Sequence, residues 1–305
     1  MSDPDDQLAE ARNLVTRTVE RRTRVTAGPS TRRRQLGASL RKLREDRGLS
    51  LEEAGKAVGL SKATLSRYET KDGSVRWPLV DALCREYGIS DADRTALVNL
   101  AKNAKIKGWW QSYTEVIPDR MSPLITFENE SAGAEHFSVV YVPGLLQTHR
   151  YAETLHRNEV DAPSDDVIQR SVAVRMKRQA ILTREEPLQL SVVLDESALR
   201  RRIGTPEVHR EQLAHLIDTA GLPNVELRVL PFDAGPLAST MDTFMILLGP
   251  DPSLDVVYLE SLTVSLYLEK PEEVLRYRRA FADIKRYALD ENASLRMIDS
   301  LRKEA

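Results

Sequence analysis

The segment from Ser50 to Glu69 constrains the fold of this chain more than any other stretch. Ser50 offers an N-cap oxygen, and Glu53 three residues on completes a capping-box pattern. The helix that follows is short and stops at Gly59. Ser61 is the next N-cap and opens a second helix through Thr70. Two short helices joined this tightly cross at a steep angle. They need a small residue where they touch, a glycine in the turn and apolar residues on their inner faces. Ala54-Gly55, Gly59, and Leu60, Leu65 and Tyr68 supply them in that order. The outer face of the second helix then shows Lys62, Ala63, Ser66 and Arg67, a set that one groove-facing helix can present to DNA base edges.

The flanking pattern is also helical. Leu36, Leu40 and Leu43 share one face of a helix that begins near Thr31 and stops at Gly48. Lys71-Asp72-Gly73-Ser74 is a turn. Pro78 sits in the first turn of a fourth helix, where Val80, Leu83, Cys84 and Tyr87 keep helical spacing and Gly88 ends the run. A fifth starts near Ser90-Asp91 and carries Leu97, Val98, Leu100, Ala101 and Ala104. An all-α domain of five helices over residues 32–107 follows.

Charge divides the chain at the same place. Residues 32–107 hold 17 Lys/Arg against 10 Asp/Glu, whereas 108–305 hold 22 against 31, a balance of −9. A basic module beside an acidic one fits a polyanion binder attached to a domain that faces something else. Residues 1–31 carry five charges of each sign and few large apolar residues. They read as an arm, with Leu8, Leu14, Val15 and Val19 as its one amphipathic stripe.

After Trp109-Trp110 the texture changes. Phe137–Val142, Leu188–Leu194, Val225–Leu230, Thr243–Leu248 and Val256–Leu259 are rich in β-branched and apolar residues, as strands are. Val225, Leu227 and Val229 alternate with Glu226 and Arg228. Helices are predicted around Tyr151–Asn158, Asp165–Leu182 and Glu207–Ala220, and Val274, Tyr277, Phe281, Ile284 and Tyr287 form a further helical stripe. The fold class is therefore multidomain: a five-helix domain, then an α+β domain over residues 108–305.

Here two resemblances enter. Arg44, Gly48-Leu49-Ser50, Ala54-Gly55, Gly59-Leu60-Ser61, Thr64-Leu65-Ser66-Arg67 and Glu69 resemble the phage-repressor-like (XRE) helix-turn-helix family. The resemblance implies that Lys62, Ala63 and Arg67 read bases, and that Ser50, Ser61, Thr64 and Ser66 lie near phosphates. It also implies an ion pair between Arg44 and Glu69 that ties the third helix to the first and orients Arg44 toward a phosphate. This chain has Leu51 where that family often has Gln, and Ala54-Gly55 where it usually has Leu-Ala. An interior Gly costs roughly 0.5–1 kcal/mol against Ala, which predicts a looser second helix. Further on, Val142-Pro143-Gly144-Leu145-Leu146-Gln147-Thr148, Tyr151-Ala152, Val174-Arg175, Arg178-Gln179, Leu194-Asp195-Glu196, Leu199-Arg200, Leu222-Pro223-Asn224-Val225 and Tyr277-Arg278-Arg279-Ala280-Phe281 are similar to a C-terminal domain common in actinobacterial antitoxin-like regulators. That kinship implies a small partner protein encoded nearby.

Other features admit two readings. Arg21-Arg22, Arg24 and Arg32-Arg33-Arg34 are either phosphate contacts or a solvated arm and helical turn. Lys102, Lys105 and Lys107 read as an exposed helix face. Trp109-Trp110 reads as a hinge packed on the fifth helix, with a ligand-stacking platform as the alternative. Gln147, Thr148 and Tyr151, with Asp195 and Glu196, mark a surface for an effector or partner, although Asp195-Glu196-Ser197 also reads as a structural cap. His136, His149, His156, His209 and His215 lack the i, i+4 spacing of a helical metal pair, so no metal or cofactor is expected. Cys84 reads as core, and a lone cysteine gives no disulfide framework. No apolar run approaches the ~18 residues of a membrane span, which predicts a cytoplasmic location.

The leading expectation is a sequence-specific DNA-binding transcription regulator that acts as a homodimer on double-stranded DNA. Its C-terminal domain would serve as sensor, assembly or partner-binding unit. An antitoxin-like protein that sequesters a partner and autoregulates its operon is the alternative. No nucleophile, phosphate loop or acid–base pair accompanies the strand ends, so an enzyme is not expected.

Overall fold

The computed structural model describes residues 31–70, 75–103, 109–113, 115–118, 121–160, 162–235, 242–249, 252–262 and 264–305. Residues 1–30 with their arginines, the Lys71–Ser74 turn, Ala104, Lys105, Lys107 and Gly108 lie outside the described residues, as do the side chains of Arg32–Arg34, Leu100 and Lys102.

Five helices open the described chain: α1 (Thr31–Asp46), α2 (Leu51–Ala57), α3 (Lys62–Glu69), α4 (Trp77–Glu86) and α5 (Asp91–Asn103). Gly48, Gly59 and Gly88 take φ of +66°, +72° and +59° just past α1, α2 and α4, the left-handed conformation that glycine adopts without a Cβ penalty. Leu36, Leu40, Ala54, Leu65, Val80, Leu83, Cys84 and Tyr87 form one buried core. Burial pushes the Cys84 thiol up to about 11, so it is a packing group at neutral pH.

Two glycines let the helices approach. A Cβ at Gly37 would sit 2.8 Å from the Tyr68 carbonyl oxygen, where α1 meets the end of α3. A Cβ at Gly55 would sit 2.8 Å from the Leu60 carbonyl oxygen. The sequence-based view of Gly55 as a weakness in α2 is therefore corrected: the backbone of the turn occupies the space a side chain would need.

The second domain is built on a six-stranded mixed sheet. Its strands are β1 (Gly133–Ser138), β2 (Gln189–Asp195), β3 (Val225–Leu230), β4 (Phe244–Leu248), β5 (Val256–Glu260) and β6 (Ser265–Leu268), in the order β3-β2-β1-β4-β5-β6. β3, β2 and β1 run parallel, and β4, β5 and β6 continue antiparallel from β1. The helices are α6 (Ser122–Glu130), α7 (His149–Arg157), α8 (Asp165–Gln179), α9 (Glu196–Arg200), α10 (Pro206–Thr219), α11 (Pro271–Tyr287) and α12 (Glu291–Glu304). One sheet face, carrying Ala134, Val192 and Leu227, packs on α6, α7, α10 and α12. The other, carrying Phe137, Val193 and Phe244, is covered by Val274, Phe281 and Ile284 of α11. The turn before α12 and α12 itself close the outer edge of β3: Leu289 N–H donates to Val229 O at 2.8 Å, and Val229 N–H to Ser294 Oγ at 2.9 Å.

The first strand lies four residues earlier than the apolar run Phe137–Val142 suggested. The chain turns out of the sheet after Ser138, whose hydroxyl donates to Tyr141 O at 2.7 Å, and Val142 N–H goes to Tyr151 Oη at 3.2 Å. The tryptophan pair is also corrected. Trp110 packs with Ile117, Ile125 of α6 and Val174 of α8, so it belongs to the second domain and not to the fifth helix.

Gly37→Ala should destabilise the helical domain by about 1–3 kcal/mol, because α1 must move off the α3 backbone. Thermal unfolding of the full chain measures this, and an unchanged melting temperature would contradict the close approach.

Candidate nucleic-acid interface

Each recognition-motif residue is held by a local hydrogen bond that the sequence spacing sets. Ser50 Oγ accepts from Glu53 N–H at 3.2 Å while Glu53 Oε2 accepts from Ser50 N–H at 2.9 Å, a closed capping box on α2. These bonds hold the Glu53 carboxyl below its ordinary range. Ser61 Oγ caps α3 by accepting from Thr64 N–H at 3.2 Å, and its hydroxyl lies 2.9 Å from Thr64 Oγ1. Lys62, Ala63 and Arg67 are exposed on α3, Thr64 and Ser66 are half-buried, and Leu65 and Glu69 point into the core. An open cleft of about 450 Å³ runs between α1, α2 and α3, with Arg41, Ser50, Glu52, Lys62 and Ser66 in its walls.

The floor of that cleft is the Arg44–Glu69 pair. Arg44 Nε donates to Glu69 Oε1 and Nη2 to Glu69 Oε2, both at 2.8 Å, while Nη1 donates to Leu49 O at 2.8 Å. Both residues are 7% exposed. The hydrogen bond to Glu69 holds the Arg44 guanidinium above its ordinary range against the opposing effect of burial. A planar fork used bidentately on Glu69, again on a carbonyl, and at 3.4 Å from Nη2 on Glu45 Oε1, keeps one Nη1 hydrogen unassigned. Held in this way at the floor of the cleft, the Arg44 guanidinium fixes α3 to α1 and to the start of α2. Tyr87 lies beside the pair, and burial pushes its hydroxyl up to about 12.

The residues marked as a surface in the second domain are not one. Gln147 is 4% exposed, Tyr151 1%, and Thr148, Asp195 and Glu196 are likewise buried. The loop from Val142 to Thr148 has no sheet partner, so buried amides satisfy its backbone. Gln147 Nε2 donates to Val142 O at 2.6 Å, Gln179 Nε2 to Gln147 O at 2.7 Å, and Gln212 Nε2 to Leu146 O at 2.7 Å. Thr148 caps α7, and Asp195 caps α9 by accepting from Ser197 N–H at 2.9 Å. Two features escaped the sequence reading. Arg178 is buried with Glu128 in a bidentate pair at 2.9 and 2.6 Å. Arg175 donates to Gln147 Oε1 at 2.6 Å, and burial followed by the Arg178 charge brings its guanidinium down to about 10. An apolar run from Val172 and an Arg-x-x-Arg spacing on α8 were the available signals.

Residues 35–97 match the family model described as a helix-turn-helix domain. Residues 121–300, more than half the chain, match the model described as "Domain of unknown function (DUF5753)". The chain belongs to the DUF5753 family. Its N-terminal domain is an XRE-like helix-turn-helix. It is 23% identical over 138 residues to the antitoxin PezA of Streptococcus pneumoniae serotype 4 (strain ATCC BAA-334 / TIGR4), a match covering 38% of this chain and 87% of that protein. No solved structure matches the chain.

Within the DUF5753 portion, His136 stands on β1 between Val192 and Met245, with Nδ1 unpartnered among the described residues. Burial, aided by the Arg178 charge, pushes it down to about 4. No group of three or more metal-ligating side chains occurs among the described residues, and no described helix is long and apolar enough to cross a membrane.

Two outcomes follow. Glu69→Gln should cost about 3–5 kcal/mol, because Arg44 is left charged and buried, whereas Arg44→Met with Glu69→Leu should recover much of that loss. Equal destabilisation of single and double variants in urea would refute the pair as the anchor. The other outcome concerns His136. As pH falls from about 6.5 toward 4, the unfolded chain takes up a proton there that the folded chain refuses. That site alone should remove roughly 3 kcal/mol of stability across the window. His136→Met should show a shallower decline, and parallel curves for the two proteins would rule the assignment out.

Proposed function

We propose that this protein is a sequence-specific transcription regulator in which α3 enters the DNA major groove. One observation carries the reading. The inner side of α3 is locked by the Arg44–Glu69 pair and the Gly37 contact, while Lys62, Ala63 and Arg67 stand free on the outer side. Arg67 serves as a bidentate donor to guanine and Lys62 as a second reader. Ser50, Ser61, Thr64 and Ser66 face the phosphates, with Arg44 anchored by Glu69 at the floor of the cleft beside them. A single module of this kind reads few base pairs, so the protein acts as a homodimer on half-sites about one helical turn (~34 Å) apart. The DUF5753 domain is the binding and regulatory part, in the cytoplasm, and is not a catalyst. Asp195 and Glu196 support that view, because both carboxylates are engaged in local structure at the strand end.

The similarity to a protein named as an antitoxin favours a second reading, in which the chain sequesters a partner protein and represses its own operon. The two differ in reach: a regulator occupies many loci, an autoregulated antitoxin one.

Duplexes selected from a random pool on the full-length protein give the operator. Arg67→Ala should then weaken operator binding by about 1–3 kcal/mol at fixed salt, with binding to random duplex unchanged. Equal losses on both would make Arg67 a phosphate contact, and a pool that fails to enrich would overturn the reading.

A further inference from the structure

The loops that leave the carboxyl ends of β1, β2 and β3 are tied into one rim. Ser138 of β1 is in register with Leu194 of β2, and Leu194 with Val229 of β3, so the three parallel strands end side by side. Ser197 Oγ donates to Val139 O at 2.7 Å, joining the loop after β1 to α9. Phe232 N–H donates to Glu196 Oε2 at 2.9 Å, joining the loop after β3 to the same helix. Arg200 pairs with the other oxygen of Glu196. The carboxyl ends of parallel strands are the usual ligand side of such sheets.

This rim presents two kinds of group that a monomer surface rarely sets together without use. Val140, Tyr141 and Phe232 are 40%, 45% and 63% exposed. Arg200 is linked to Phe232 through Glu196, and Arg201 and Arg202 follow it at the end of α9; all three are exposed, in a portion of the chain whose balance is −9. The side chains of Arg201 and Arg202 make no hydrogen bond or ion pair with a described residue, and the carboxylate that pairs with Arg200 is Glu196. Among the described residues the rim is thus apolar in its centre, with the charges of Arg201 and Arg202 unmatched at one side.

We propose that this rim docks an acidic protein segment, one that sets carboxylates against Arg200, Arg201 and Arg202 and an aliphatic or aromatic side chain against Tyr141 and Phe232. The proposal rests on the reading of the DUF5753 domain as a binding domain and gives that domain its surface and the chemistry of its partner. Charge complementarity selects this occupant. A second copy meeting the rim about a two-fold axis through its apolar centre would carry the arginines to opposite ends of the interface, where the rim's own carboxylates, Asp195 and Glu196, are buried and cannot meet them. Duplex DNA would satisfy the arginines but leave Val140, Tyr141 and Phe232 against phosphate. An acidic segment with apolar side chains satisfies both, with the arginines steering its approach and the aromatic rings holding it.

The test selects random peptides displayed on phage against the full-length protein. It then compares the wild type with Arg201→Glu/Arg202→Glu and with Phe232→Ala, each checked for an unchanged melting temperature. Selected peptides should be net negative with at least one aromatic or large aliphatic residue. Their affinity should fall roughly tenfold or more for the charge-reversed protein, fall also for Phe232→Ala, and weaken as salt is added. Peptides without carboxylates, or no enrichment, would overturn the proposal. Peptides that bind all three proteins equally would overturn it while keeping a binding domain with its surface elsewhere. Loss of random-duplex affinity on charge reversal, without peptide binding, would assign the rim to nucleic acid. In each case operator binding by the same protein samples reports separately on the regulator reading.

Discussion

The recognition helix of this protein is placed by one buried ion pair. Arg44 and Glu69 come from α1 and the last turn of α3, 25 residues apart, and meet through two parallel hydrogen bonds. Desolvating two charges is costly, and such a pair is weak as a source of net stability. Its geometry is another matter. A guanidinium and a carboxylate joined edge to edge allow one relative orientation, and the third donor on Leu49 O extends that constraint to the residue before the α2 cap. Apolar packing of Leu65 alone would hold α3 in the core and permit small rotations about its axis. The ion pair removes that freedom, and it is the rotation of α3 that decides which side chains reach a groove.

The helical domain was legible in the sequence because its signals are local and agree with one another. Ser50 with Glu53, Ser61 with Thr64, and glycines after α1, α2 and α4 mark boundaries within a residue or two of those observed. Gly37 and Gly55 were harder to read. Their value lies in the backbone of another element, which no periodicity records. In the second domain the alternation of Val225, Leu227 and Val229 gave β3, whereas β6, four residues long at the sheet edge, buries only Ser265 of its four side chains. β1 was displaced because Val139–Val142 is as apolar as a strand but leaves the sheet, its place set by the Ser138 turn.

The polar residues around Gln147 show why a conspicuous motif need not be a site. A buried loop without ladder partners needs donors for its carbonyls. Three glutamines from the loop, α8 and α10 supply them. The residue types that mark a binding surface in sequence are here the ones that allow a loop to be buried. Chemistry available to a partner lies instead one turn outward, where Tyr141 and Phe232 follow the same strand ends.

The position of α3 is referred to α1, and α1 in turn lies against α6 and the 252–254 turn of the second domain. This chain of contacts limits what an event in the second domain can change. The Gly37 contact and the Arg44–Glu69 pair are backbone-close and bidentate, so α1 and α3 shift together or not at all. Under the proposed regulator reading, a molecule bound to the second domain would act on the orientation of the whole helical module, not on the seat of α3 within it. For two modules on one duplex, that orientation sets the separation and angle of their recognition helices. A ligand alters it only as far as it binds one packing of the domains more tightly than the other, each ~1.4 kcal/mol of preference giving a tenfold change in population.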